Sequence, residues 1–71
     1  MIEEGQYLND GTHELLVGAV KKYKGKDYAY LINEEAEEGF FVEYYKENDG
    51  VRFNRVESVP LIKLLFIESN I

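Results

Sequence analysis

The chain has no cysteine, one histidine, one proline and two serines among its 71 residues. Each shortage removes a class of chemistry. Without cysteine there is no disulfide framework to staple a small fold, no thiol nucleophile and no thiolate for zinc. With His13 alone, no histidine cluster can hold a metal. Ser58 and Ser69 each follow a glutamate, and neither sits in a Gly-flanked nucleophile elbow. There is no glycine-rich phosphate loop, since "KYKGKD" has a single glycine and reads as a hairpin. The longest apolar stretch lies within "VPLIKLLFIES", is broken by Lys63 and falls far short of the roughly 20 residues of a membrane helix. "MIEEGQYLND" has neither the basic nor the apolar part of a signal peptide. The expectation is a soluble, cytoplasmic protein with no membrane partner, and the absence of cysteine agrees with it.

What remains is small, aromatic and acidic. At 8.3 kDa the chain makes one domain, residues 1–71, and a domain of this size buries only about 60% of its unfolded surface. Its stability must come from a compact aromatic core or from self-association. Six tyrosines and four phenylalanines supply the aromatics, and an apolar share of 45% is too high for a disordered chain. Residues 34–49 hold seven acids against Lys46 alone, which accounts for the whole net charge of −6. Lys21, Lys22, Lys24 and Lys26 cluster elsewhere, so a charge dipole is expected, with a basic hairpin and an acidic face.

Glycines at 11, 25, 39 and 50 punctuate runs rich in Val, Tyr, Phe and Ile, which favours strands over helices. The runs are 13–23, 27–33, 40–46 and 51–56, with a short edge strand in "YLND" turning at Asp10–Gly11. "KGK" and Asp49–Gly50 read as hairpin turns. Strand alternation puts Phe40, Val42 and Tyr44 on one side, and Phe41, Glu43 and Tyr45 on the other. It likewise groups Leu15, Val17 and Ala19 against Leu16, Gly18 and Val20. Both sides of several strands are apolar, so either the sheet curls into a barrel or the C-terminal segment covers its second face. Ser58 can cap a helix with Pro60 in its first turn. The expectation is a mainly β fold: a small single antiparallel sheet or SH3-like barrel of about five strands, with a helical turn near 58–62 and a closing strand near 63–68. The alternative is an α+β fold, a four-stranded antiparallel sheet with a C-terminal helix, and a short apolar run does not separate the two.

Few residues offer chemistry. His13 with Glu14 has the makings of a base and its orienter, but a working site needs more parts, and a strand-start histidine half in solvent accounts for the pair. The expectation is no enzyme and no cofactor. "ENDG" lacks the alternating acids and closing glutamate of a calcium loop, so the acids read as a solvated loop rather than a metal site. The lysines around Tyr23 and Tyr28 have the composition of a single-strand nucleic-acid grip. The acidic balance speaks against direct nucleic-acid binding, and lysines near a sheet edge also block unwanted strand pairing.

Two partner readings follow. In the first, Phe41 and Tyr45 flank Glu43 on an aromatic patch rimmed by Glu34, Glu35, Glu37 and Glu38, which binds a protein partner. Its counter-reading is that both aromatics are buried by closure of the fold. In the second, the acids mimic nucleic acid and the chain is a phage-type decoy inhibitor of a DNA- or RNA-binding enzyme. The sequence "ELLVGAVKKYKGKDYAYLIN", the glutamate loop, "FFVEYY" and "DGVRFNRVES" together resemble small acidic domains of unknown function from low-GC Gram-positive bacteria and their phages. There a Y-x-G-K-x-Y hairpin is likewise followed by an acidic loop and two more strands. The resemblance spans roughly residues 14–58 and implies no catalytic residues.

Overall fold

Tyr23 and Lys26 face each other across Lys24 and Gly25, whose φ values are +50° and +79°. Two successive positive φ values make the turn that matches strand twist, and glycine takes the second at little steric cost. This hairpin is the centre of a computed structural model that describes residues 2–9 and 11–69. Five strands follow one another as an antiparallel meander: β1 (Tyr7–Asn9), β2 (Glu14–Tyr23), β3 (Lys26–Asn33), β4 (Glu38–Glu47) and β5 (Gly50–Arg55). Helix α1 (Val59–Ser69) completes the fold. The mainly β expectation is met, with five strands in a curled half-barrel. Asp10, half of the expected first turn, lies outside the described residues. The second hairpin turns through Asn48 and Asp49, and Gly50 opens β5.

The segment expected to close the barrel as a strand near 63–68 is helical instead. The Ser58 carbonyl accepts the first helical bond from Ile62 N–H at 2.9 Å, and Pro60 stands in the first turn, where a missing N–H costs nothing. A sixth strand would have extended one edge and left Tyr28, Tyr30 and Phe41 in water. A helix instead lies across that face, with Leu65 fully buried and Leu61 and Ile62 half-buried over Tyr28, Phe41 and Val56. Phe66 stands edge-on to Phe41 at 5.0 Å and to Tyr30 at 5.5 Å between ring centroids, a favoured arrangement of aromatic pairs.

The opposite face has its own core of Ile2, Leu15, Val17, Ala29, Leu31 and Val42. Ile2 reaches it because Gly5 N–H donates to the Val17 carbonyl, which ties the N-terminal segment to β2. Alternation along β2 holds only as far as Val17. The register shifts between Val17 and Ala19, so Gly18 is an extra residue, a β-bulge. Beyond it the faces exchange: Val20 joins the core of Val17, and Ala19 turns to the helix side beside Tyr30. Phe40, Val42 and Tyr44 lie on one face and Phe41 on the other, as the pattern predicts.

Candidate functional site

Gly39 explains how the acidic loop meets the aromatics. A Cβ at residue 39 would run into the Tyr30 hydroxyl and ring, because Tyr30 lies diagonally over the glycine on the helix side. The loop before it is closed by buried Asn33, whose side-chain oxygen accepts from Ala36 N–H at 3.2 Å. Glu34, Glu35, Glu37 and Glu38 are all exposed around that turn. Glu34 accepts a hydrogen bond from the Tyr7 hydroxyl at 3.2 Å. That bond, reinforced by the carboxylates of Glu34 and Glu14, holds the Tyr7 phenol above its ordinary pKa.

The sequence patch does not assemble as a unit. Phe41 is 2% exposed beneath α1 and belongs to the core, which corrects its place at the centre of an open patch. Glu43 is half-buried, with a carboxylate oxygen 3.9 Å from Lys26 Nζ. Tyr45 is 40% exposed, and its hydroxyl accepts from Asn54 Nδ2 at 3.4 Å. The four loop glutamates do not rim Tyr45. Glu38 opens β4 and Tyr45 lies seven positions on, roughly 20 Å away at the rise of a strand. The meander divides the acidic segment expected to form one face: Glu34, Glu35, Glu37 and Glu38 lie at one end with Glu14, whereas Glu47 and Asp49 turn at the other end beside Lys21, Lys22, Lys24 and Lys26, so the dipole is weaker than the sequence pattern suggests. Among the described residues, β2 beyond Val17 has no strand on its outer side, and Lys21 and Lys22 stand on that edge.

An apolar cleft of about 270 Å³ does form, on the face away from the helix. Leu8 of β1, Leu15 of β2, Leu31 of β3, Phe40 and Val42 of β4 and Phe53 of β5 line it, so the sheet curls toward this side. Phe53 is 43% exposed, with its ring centroid 6.4 Å from that of Tyr44. Burial, with a smaller contribution from Asp27, raises the Tyr44 pKa. The Arg55 guanidinium stands over the Phe40 ring at 4.6 Å, a cation–π contact at the cleft's rim.

The sequence reading of residues 51–56 as a strand did not single out Phe53 or Arg55. The signal that finds them is the hairpin register, which sets Val51, Phe53 and Arg55 opposite Lys46, Tyr44 and Val42 and so on the open face. Leu8 gives no such signal, because a three-residue strand has too little alternation to read. Among the described residues no group of acids or histidine is arranged to hold a metal ion, and no helix is long and apolar enough to cross a membrane. Comparisons with protein-family models, with curated proteins and with solved structures find no match.

Proposed function

We propose that the protein is a non-enzymatic interaction module that holds a segment of one protein partner on the open face of its sheet. The observation that carries this reading is the apolar cleft between Leu8 and Phe53, which α1 leaves uncovered because it packs on the other face. Small-ligand pockets usually enclose about 300–1,000 Å³. A shallower cleft of about 270 Å³ suits one or two side chains of a polypeptide better than a free ligand. Phe53 and Tyr44 are the aromatic anchors, and Arg55 is the polar rim. Tyr44 and Val51 also lie beside a second hollow at the end of the same hairpin, which extends the surface.

Selection of a displayed random-peptide library against the whole protein tests this. Enriched peptides should lose about 2 kcal/mol or more of binding to Phe53→Ala, as expected of an anchor. Phe53 is exposed and belongs to neither buried core, so the variant should melt close to the parent. Enrichment that ignores Phe53 would reject the open face as the binding surface.

A second reading, the nucleic-acid-mimicking decoy, is favoured by the five exposed carboxylates gathered at one end of the sheet. Duplex DNA presents one charge per about 1.7 Å of axis, a density such a cluster would have to imitate. That reading expects capture of a nucleic-acid-binding enzyme that collapses as salt rises. Changing Glu35, Glu37 and Glu38 to Gln should abolish it, and Phe53→Ala should leave it intact.

A further inference from the structure

We infer that the partner segment is an extended strand that adds to the free edge of β5 and sets an acidic side chain against Arg55; this rests on the open face being the binding surface. The backbone of β5 is arranged for it. Val56 N–H donates to the Phe41 carbonyl at 2.9 Å. Hydrogen-bonded and non-bonded pairs alternate along an antiparallel ladder. Counting back from that bond, Asn54, Arg52 and Gly50 bond toward β4. Val51, Phe53 and Arg55 then point their N–H and C=O groups away from it. The register places the side chains of the same three residues on the open face. A strand pairing with them therefore lays every second side chain over the cleft that Phe53 lines.

The two long edges of the sheet differ in how they meet water. The outer edge of β2 carries Lys21 and Lys22, the usual guard against strand addition. β5 has neither lysine nor proline, and it exposes Val51 and Phe53. Its charges are Arg52 and Arg55, with no acid. Arg52 is engaged by Glu47, with Nε 3.4 Å from the carboxylate. Arg55 lies over Phe40 and has no carboxylate partner among the described residues. It is thus a cation at the mouth of an apolar cleft, and a carboxylate on the incoming strand completes it. A second copy of the chain fits this edge poorly, because its own β5 would bring two more arginines and no acid.

The test uses the peptides selected against the whole protein. They should share alternating apolar residues with Asp or Glu at one fixed position. Binding should protect the amides of Val51, Phe53 and Arg55 from hydrogen exchange. A single backbone N-methyl group facing β5 should weaken binding at least tenfold. Arg55→Glu should cost tenfold or more, and a peptide with Lys for the acid should recover most of that loss. Arg55 is exposed, so the variant should fold. Binding that needs Phe53 but is indifferent to N-methylation and to Arg55 would overturn strand addition and leave the open face as the surface. Absence of any Phe53-dependent peptide would overturn both. A dimer in light scattering that Phe53→Asp or Val51→Lys dissociates would assign the edge to a second copy and overturn the inference as well.

Discussion

Phe41 and Tyr45 lie on the same side of β4, yet they carry opposite roles because α1 reaches one and not the other. Phe41 makes ring contacts with Tyr30 at 4.9 Å and Phe66 at 5.0 Å. Phe41→Ala should therefore destabilise by about 3–5 kcal/mol, the cost of an emptied aromatic site. Tyr45→Ala removes an exposed ring with one long hydrogen bond and should stay within about 0.5 kcal/mol of the parent. Urea melts of the two variants decide this, and a large loss for Tyr45→Ala would mean that the hairpin end is core. Tyr7 gives a second residue-scale expectation. Its phenol donates to Glu34, so ionisation breaks that bond and adds a charge beside two carboxylates. The folded pKa is raised, so any stabilisation is complete below the ordinary tyrosine value and fades as pH climbs through the raised one. Glu34→Gln should move the Tyr7 titration, followed by NMR of its ring carbons, back toward the ordinary range.

Among the elements, α1 and β2 each meet a demand that their own sequences hide. "VPLIKLLFIES" is apolar nearly all round, so the helix has no pronounced apolar stripe, and position alone separates its buried and exposed residues. Leu65 is fully buried, whereas Ile67 is 72% exposed. Leu65→Ala should cost about 2–5 kcal/mol, and Ile67→Lys should be near neutral. Thermal melts that reversed this order would place the helix in a different rotation on the sheet. In β2 the bulge at Gly18 lets both Val17 and Val20 enter one core. Deleting Gly18 should restore plain alternation with Val17 and Val20 still on one face, because the register already skips Gly18, so the melting temperature should change little, while a large fall would show that the bend the bulge gives β2 is needed.

For the whole molecule the relevant quantity is the separation of charge. The sheet holds the acidic turn and the lysine hairpin at opposite ends of a body 32 Å in its longest dimension. At that distance the ends attract each other weakly, while the glutamates repel one another at close range. Raising ionic strength from about 0.01 M to about 0.1 M shortens the Debye length from about 30 to about 10 Å. The melting temperature should rise accordingly, because repulsion within the acidic turn is screened more than any attraction is lost. Gln at 35, 37 and 38 should raise it at low salt and flatten the dependence. A melting temperature that fell with salt would show that cross-molecule attraction dominates.

Local chemistry determined much of this protein. Glycine at a positive-φ turn, β-branched and aromatic runs, and period-two alternation were enough to mark five strands, two hairpins and the split of Phe40, Val42 and Tyr44 from Phe41. Such signals lie within a few residues of one another, so they are legible without knowing what packs on what. The candidate site was not legible in that way. Phe41 and Tyr45 are aromatics four residues apart on the same face of one strand, and only the path of α1 over the sheet makes one core and the other surface. Leu8 and Phe53, 45 positions apart, line one cleft because the sheet curls. Gly18 exchanges the faces of β2 by a shift against β3 that β2 alone does not encode in its pattern. Which apolar side chains are covered and which stay open depends on contacts between distant segments, and those the tertiary structure alone decides.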